Sequence, residues 1–189
     1  MARYGKEHKE ATRRRIVDAA GRRFKRDGID GSGIATLMAD AGLTNGAFYA
    51  HFDSKDDLVA TTIADQLRDQ RESFFERPDA TVEQLVREYL SVQHRDDPEH
   101  GCPSAALLDE IGRCAASAKQ AYTEGVLDIA DEIAGRLAPD DPQSARATTL
   151  SLFALLIGTL QLSRALADRE LADEVLEQGI ENALTLLAA

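Results

Sequence analysis

Apolar residues recur every three or four positions through most of this chain, which is the spacing of amphipathic helices. In the first predicted helix, residues 9–27, Ile16, Ala20 and Phe24 fall on one face. No segment shows the two-residue alternation of apolar and polar side chains that marks a half-buried strand. The pattern therefore predicts an all-α protein.

Two short helices are predicted after the first one. Gly28 ends the first helix, and Ser32 is expected to cap a short second helix. The segment Ala41-Gly42-Leu43 has the composition of a tight turn. Thr44 is then expected to cap a third helix over residues 45–52. Three short helices with a three-residue turn before the third predict a helix-turn-helix unit.

The remaining predicted helices form an acidic body rich in alanine and leucine. Ser54 followed by Asp57 resembles a capping box and begins a fourth helix that runs to about Glu76. We therefore divide the chain into a head, residues 1–55, and a body, residues 56–189. The later helices are predicted at about residues 81–94, 104–116, 119–137, 144–167 and 169–187.

The predicted helix over residues 144–167 is apolar on nearly all sides between Leu150 and Leu160. One packing surface cannot cover such a helix, so we expect it to pair with a second copy of the chain in a four-helix interface. The residues expected at this homodimer interface are Leu152, Phe153, Leu156, Leu160, Leu176, Ile180 and Leu184.

Composition and charge narrow the class of protein. Hydrophobic residues make up 43% of the 189 positions and charged residues 29%, which is typical of a soluble globular chain. No apolar run approaches the roughly 18 residues that span a bilayer, and the polar first residues resemble no secretory signal. We therefore expect a cytoplasmic protein without membrane contact.

The charge is distributed unevenly along the chain. The formal charge is −11 overall, but it is +4 up to His51 and −15 after it. A basic head on an acidic body suits a protein that brings one end to the phosphates of a nucleic acid. A basic N-terminal segment can also be only a solvated tail, and the motif that follows decides between the two.

Residues 41–55 read AGLTNGAFYAHFDSK, and they resemble the TetR family of bacterial transcriptional regulators. The family pattern is Ala-Gly-apolar-Ser/Thr, then Tyr-x-His-Phe and Ser-Lys, and the resemblance extends over roughly residues 12–59. It departs from the pattern in the second helix, at Gly33-Ile34 and Leu37-Met38. The resemblance implies a three-helix DNA-binding head and a helical body that binds an effector and dimerises.

The resemblance also implies a function. We expect a homodimeric regulator, acting as a repressor, that leaves its operator when a small-molecule effector changes the spacing of the two heads. Recognition helices about 34 Å apart require a near-palindromic site in double-stranded DNA. No metal, cofactor or enzymatic activity is expected.

Small residues fill the first turn of the predicted recognition helix. They would let the backbone enter the major groove with its free N–H groups toward the phosphates. The residues of this turn are Thr44, Asn45, Gly46 and Ala47. Among them Asn45 is the one best able to read a base edge.

Three further residues are candidates for contacts with the DNA backbone. Tyr49, His51 and Lys55 offer a hydroxyl, a ring N–H and an ammonium, and the resemblance assigns them to phosphates. Taken singly, Tyr49 and His51 could instead lie at the edge of the core, and Lys55 could be a solvated lysine.

The chain has two cysteines, Cys102 and Cys114, which are too few for a disulfide framework. Cys102 lies in Gly101-Cys102-Pro103-Ser104 at a predicted helix N-terminus, a position that lowers a thiol pKa. A sensor of oxidants or electrophiles is therefore the alternative function. Cys102 could equally be a small buried residue that closes the helix start, and Cys114 has the setting of a core residue.

The neighbourhood of Cys102 suggests two further hypotheses, both weaker. His94 and His100 lie close to it in sequence, but this spacing does not complete a metal site. A cysteine-dependent helical enzyme would need an orienting group and an oxyanion hole, and no nucleophile turn or phosphate loop is present in the sequence.

Overall fold

The computed structural model describes residues 2–77 and 80–188, with side chains from Glu7 onwards. Every regular element in these residues is a helix, which confirms the all-α prediction. The head contains α1 (Ala2–Asp27), α2 (Ile34–Asp40) and a 3-10 helix (Asn45–Ala50). The body contains α3 (Lys55–Phe75), α4 (Val82–Tyr89), α5 (Val92–Asp96), α6 (Pro103–Ile111), α7 (Ala116–Leu137), a second 3-10 helix (Pro142–Ala145), α8 (Arg146–Ala165) and α9 (Arg169–Ala188).

Three phenylalanines form the centre of the head. Phe24 of α1, Phe48 of the first 3-10 helix and Phe52 just after it are fully buried. The rings of Phe48 and Phe52 stack with their centroids 5.8 Å apart. Because a buried Phe contributes about 1.5–3 kcal/mol, this cluster fixes the 3-10 helix against α1.

Two glycines close the turns of the head as predicted. Gly28 ends α1 with a φ of 81°, and Gly42 has a φ of 67° in the turn after α2. Both values lie in the left-handed region, which glycine enters without a Cβ clash. The guanidinium of Arg15 also donates a hydrogen bond to the carbonyl of Ala41 at 2.5 Å, so the turn is tied to α1.

The two caps predicted within the head are absent. Ser32 is fully buried and its Oγ donates to the carbonyl of Gly28 at 2.6 Å, so Gly33 is the N-cap of α2 instead. Thr44 makes no side-chain capping bond. By contrast, the Oγ of Ser54 accepts from the N–H of Asp57 at 3.1 Å, which confirms the predicted start of α3.

The third element of the head is a 3-10 helix of six residues, where the sequence pattern predicted an α-helix to residue 52. The carbonyl of Phe48 accepts from the N–H groups of both His51 and Phe52, at 2.9 and 3.0 Å. This shared acceptor ends the element within two turns. The short length is typical of 3-10 segments, whose hydrogen-bond geometry does not favour extension.

The helix predicted over residues 81–94 is two helices. Thr81 and Gln84 form a capping box at the start of α4, at the predicted first residue. Leu90 then leaves helical geometry, with φ −91° and ψ 39°. Ser91 begins α5 by accepting a hydrogen bond from the N–H of His94 at 3.2 Å, so α5 occupies part of the predicted loop.

Other helix bounds differ less from the predictions. Helix α1 begins at Ala2 within the described residues, earlier than predicted, and α6 ends at Ile111 rather than near residue 116. Helix α7 packs closely on α3, because a Cβ at Gly125 would meet the side chain of Leu67. Helices α8 and α9 pack side by side at the end of the chain.

The second 3-10 helix and α8 together form the segment Pro142–Ala165 of 24 residues, which contains an 18-residue window with a mean hydropathy of 1.3. By length and composition it could cross a membrane, which corrects the expectation that no run in this chain was long and apolar enough. The core helices of soluble proteins pass the same test. Within the chain, 33% of its apolar window is buried.

The expected interface residues differ in their burial within the single chain. Leu152, Leu156, Leu160 and Leu176 are buried there, with exposures of 7% or less. They pack α8 and α9 into the body, and their part in an interface stays a prediction. Of the expected set, only Phe153, Ile180 and Leu184 are half-buried.

Candidate nucleic-acid interface and adjoining cavity

The first turn of the 3-10 helix lies on the surface of the head. Thr44, Asn45 and Gly46 are exposed, whereas Ala47 is half-buried and packs against the core. Because the ring of Phe48 is anchored in the core, the residues that precede it project outward. The structure therefore presents the polar part of the predicted recognition turn to solvent, as base reading requires.

Tyr49 stands out from the same face. Its side chain is 69% exposed, and its ring lies edge-on to that of Phe48 with the centroids 5.2 Å apart. The contact with Phe48 restricts the ring while its hydroxyl remains in solvent. The hydroxyl is therefore free to contact another molecule, and its contact with a phosphate stays a prediction.

His51 is half-buried beside basic residues of α1. Its Nδ1 is buried and has no hydrogen-bond partner among the described residues. Burial lowers the pKa of His51, and the positive charges of Lys9 and Arg13 lower it further, with His8 contributing in the same direction. The ring is therefore neutral at pH 7 and retains an unused nitrogen.

Lys55 differs from the predicted free phosphate contact. Its side chain is half-buried, and Nζ donates to the carbonyl of Ile29 at 2.6 Å. This bond ties the first turn of α3 to the loop between α1 and α2. An ammonium has three donors, so two are left for other acceptors, and the phosphate contact of Lys55 stays a prediction.

Arg13 is a further candidate for contact with the DNA backbone, and the motif residues did not include it. Its guanidinium lies over the ring of Phe52, 4.6 Å from the centroid, and donates to Thr61 Oγ1 at 3.1 Å. Lys9 lies one helical turn earlier. Their four-residue spacing on α1 was the available signal that both face the recognition element.

Comparison with known proteins agrees with this geometry. The family model for bacterial regulatory proteins of the tetR family matches residues 16–62. The match covers most of the head, so the head resembles the tetR family. Over 60 residues the chain is 40% identical to the HTH-type transcriptional regulator AcrR of Shigella flexneri. Over 59 residues it is 41% identical to the HTH-type transcriptional regulator TtgR of Pseudomonas putida.

These sequence matches cover the tetR-family head and little else. The AcrR match spans 32% of this chain and the TtgR match 31%, and each spans 28% of the relative. The chain is thus aligned with less than a third of the length of either relative.

The fold of the whole chain is similar to solved structures. NemR of E. coli in its reduced form superposes with a TM-score of 0.74 at 15% identity, over 93% of this chain and 96% of that one. A TetR-family transcriptional regulator from Cytophaga hutchinsonii gives 0.75 at 18% identity, over 96% and 95%. Both the tetR-family head and the helical body are therefore arranged as in these regulators.

A cavity of about 450 Å³ lies where the tetR-family head meets the body. Its walls come from α1 on the head side and from α3, α4 and the segment before α6 on the body side. The apolar space between α4, α7 and α8 inside the body holds only about 20 Å³. The head–body junction therefore has more room for a small molecule than this apolar space.

Cys102 lies at one end of this cavity and is 3% exposed. Its backbone N–H donates to His94 Nε2 at 3.0 Å, and His94 Nδ1 lies 2.8 Å from the carbonyl of Tyr89. This pairing requires the neutral ring with its proton on Nδ1. Burial lowers the pKa of His94, which keeps the ring neutral.

His94 and His100 do not form a metal site with Cys102. The accepting nitrogen of His94 is used by the backbone of Cys102, and His100 Nδ1 pairs with Asp97 at 2.9 Å. Across the described residues, no group of three or more His, Cys, Asp or Glu side chains could hold a metal ion. Cys114, the second thiol, is half-buried against the core.

Proposed function

We propose that this chain is a sequence-specific DNA-binding transcriptional regulator that acts in the cytoplasm as a repressor. The observation that carries the proposal is the exposed face formed by Thr44, Asn45, Gly46 and Tyr49 beside the basic side chains of α1. In this arrangement Asn45 reads a base edge in the major groove. Tyr49, His51 and the α1 cations hold phosphates and set the register.

The proposed assembly is a homodimer through α8 and α9. Helix α8 carries an exposed stripe at four-residue spacing, Leu150, Ala154, Gly158 and Leu162. The leucines of this stripe are 42% and 53% exposed, and the small residues between them allow close approach of a second helix. A second copy of the chain explains this apolar surface without a membrane.

Dimerisation determines the spacing and the symmetry of the DNA site that the protein would read. Two heads related by a twofold axis read half-sites about 34 Å apart, so the operator is a near-palindrome in double-stranded DNA. A small-molecule effector bound to the body changes the head spacing and thereby lowers operator affinity. This coupling between effector and operator is what makes the protein a switch rather than a constitutive repressor.

The test is a binding assay with the DNA that flanks the protein's own gene. We expect saturable binding that exceeds binding to scrambled DNA, and affinity that falls steeply between about 50 and 200 mM salt. Asn45→Ala should reduce the preference for flanking DNA, whereas Asn182→Ala, at an exposed asparagine of α9, should not. Equal binding of flanking and scrambled DNA by the native protein would contradict the proposal.

A second candidate function is redox or electrophile sensing through Cys102. The observation that favours it is the position of Cys102 on the cavity wall, at the N-cap of α6. Because Cys102 is only 3% exposed, a reagent would have to reach its thiol through the cavity that Cys102 lines. Operator release by N-ethylmaleimide should be lost in Cys102→Ser and retained in Cys114→Ser; equal release in both variants would leave Cys102 as a structural residue.

A further inference from the structure

Two arginines of α1 converge on the end of α2, although they lie eight residues apart in the sequence. Arg15 donates from its guanidinium to the carbonyl of Ala41 at 2.5 Å. Arg23 holds the carboxylate of Asp40 through both Nε and Nη2, with Nη2 at 3.1 Å from Oδ1. Eight residues of helix span about 12 Å, so α1 contacts two adjacent residues of α2 from two separate points.

The contact of Arg15 completes the hydrogen bonding of the turn that follows α2. The N–H groups of Gly42 and Leu43 donate back to carbonyls of α2 at 2.9 and 2.8 Å. The carbonyl of Ala41 is one of the last in its helix, where no intrahelical donor is available, and Arg15 supplies the donor. A Cβ at Gly42 would lie 3.3 Å from the same guanidinium, so the side chain of Arg15 lies against the turn.

Arg23 has little charge left for a DNA phosphate. Besides its two bonds to Asp40, it donates from Nη1 to Asp27 at 2.6 Å, so two carboxylates share one guanidinium. Ion pairs near the surface contribute little to stability. A bidentate guanidinium does, however, fix the direction of the carboxylate that it holds, so the main effect of this contact is on the orientation of α2.

We propose that Arg15 and Arg23 form a clamp on the end of α2 that positions the recognition turn, and that they act through this clamp and not through phosphates. Asn45 follows Ala41 by four residues, so a rotation of α2 would move Asn45 away from the base edge that it reads. Two points of attachment prevent this rotation. The inference rests on the proposed function, because it identifies the residues that position the base reader of the same regulator.

Charge and position lead to different expectations for the acceptor of this clamp. Asp40→Ala removes a negative charge from the head, and electrostatics alone predicts tighter binding to every duplex. Arg23→Gln changes the charge of the head in the opposite direction but removes the same contact. The clamp therefore predicts that both variants lose sequence preference, while their affinities for unrelated DNA shift in opposite directions.

The experiment compares the affinity of the full chain for DNA that flanks its own gene with its affinity for a scrambled duplex, at several salt concentrations. Arg15→Met, Arg23→Gln and Asp40→Ala should each lower the ratio of the two affinities by about fivefold or more, as for one impaired base contact. Their salt slopes should change by less than the roughly one unit expected for a lost phosphate contact. Arg14→Met, at an exposed arginine of the same helix, is the matched control and should leave the ratio unchanged.

Hydrogen exchange gives a second measurement that requires no DNA. In the native protein the amides of Gly42 and Leu43 are protected by their bonds to α2. We expect all three clamp variants to exchange these two amides faster, because the turn opens locally more often. The amides of α7 in the body should keep their rates, which separates a loosened turn from a loss of global stability.

Several outcomes would overturn the clamp. They are an unchanged affinity ratio in the three variants, a salt slope that falls by about one unit in Arg15→Met or Arg23→Gln, and unchanged exchange at Gly42 and Leu43. Opposite effects of Arg23→Gln and Asp40→Ala on the ratio would also overturn it, since charge would then explain both. A native protein that binds flanking and scrambled DNA equally would refute the proposed function instead, and the exchange rates would still decide whether the clamp holds the turn.

Discussion

The carboxylate of Glu110 accepts a hydrogen bond from the backbone N–H of Ile29 at 2.6 Å, which joins α6 of the body to the turn after α1. The N–H of Asp30 lies 3.4 Å from the same oxygen. Two further contacts reach the segment before α6, from Lys25 to the carbonyl of Gly101 at 2.9 Å and from Arg26 to Glu99 at 3.7 Å. These contacts hold the end of α1 and the turn after it to α6 and the segment before it.

Removal of the Glu110 carboxylate should loosen this junction. Glu110→Ala leaves the N–H of Ile29 without its charged acceptor, and we expect the free energy of unfolding to fall by about 1.5–3 kcal/mol. Asp109→Ala, next to it, removes only an exposed ion pair with Arg113 and should cost less than about 1 kcal/mol. Urea denaturation of both variants measures the difference; equal losses would mean that Glu110 does not hold the head.

Operator affinity should depend on pH through His51. Its pKa lies below the usual value in the free protein because of burial and nearby cations, and a bound phosphate would raise it. The complex then binds more protons than the free head, so affinity should increase as the pH falls from about 7.5 to 6. Anisotropy titrations across this range should show a shallower pH dependence in His51→Gln; identical slopes would contradict a phosphate contact at His51.

Lys25 should leave a signature in the pH dependence of stability. Burial lowers its pKa from 10.5 to about 8 in the folded protein, so the unfolded chain binds more protons between these two values. The contribution of Lys25 to the free energy of unfolding should therefore rise as the pH increases from about 8 to 10.5. The difference in unfolding free energy between wild type and Lys25→Met, measured by urea denaturation, should change in favour of wild type from pH 8 to 10.5. A constant difference would place the Lys25 ammonium in solvent.

Asn45 and Lys55 should affect DNA binding differently. Asn45→Ala should relax the preference at one base pair of each half-site, at a cost of about 1–3 kcal/mol. Lys55→Ala should weaken all sequences alike and make the salt slope shallower by about one unit. Because Lys55 also bonds to Ile29, the melting temperature of the Lys55→Ala variant must be measured in parallel. An unchanged slope at several salt concentrations would assign Lys55 to the fold alone.

Variants at two leucines of α8 allow dimerisation and folding to be tested separately. Leu162 is 53% exposed in the single chain and Leu152 is 1% exposed. Leu162→Asp should shift the protein toward monomers in light scattering at micromolar concentration while its fold is kept. Leu152→Ala should instead lower the free energy of unfolding by about 2–5 kcal/mol. A dimer that survives Leu162→Asp would place the interface on another surface.

Local signals predicted most of the helices. The Thr81 capping box, the Gly28 terminus and the paired phenylalanines of the head depend on neighbours within a few residues, and the sequence shows these directly. The helix type of the third element was harder to predict. The choice between 3-10 and α geometry at Asn45–Ala50 depends on how Phe48 and Phe52 reach the core.

Contacts between distant residues were beyond sequence reasoning. Nothing in the pattern pairs Ile29 with Glu110 or Lys25 with Gly101, since neither a backbone N–H nor a carbonyl carries a sequence signal. The burial of the expected interface residues was hard to predict for a different reason: a helix that is apolar on all sides does not reveal which face its own chain covers. In the structure, the burial of Leu152 and the exposure of Leu162 identify the covered face and the free one.

The close packing at Gly125 gives α3 a pivot. The side chain of Leu67 is held against α7 at this point, and Lys55 lies twelve residues before it on the same helix. At a rise of 1.5 Å per residue the arm is about 18 Å long. A tilt of about 5° at the pivot would therefore move the first residue of α3 by about 1.6 Å. In a twofold dimer the symmetry-related arm makes the same movement rotated by the twofold axis, so the separation of the half-site readers changes by up to about twice as much.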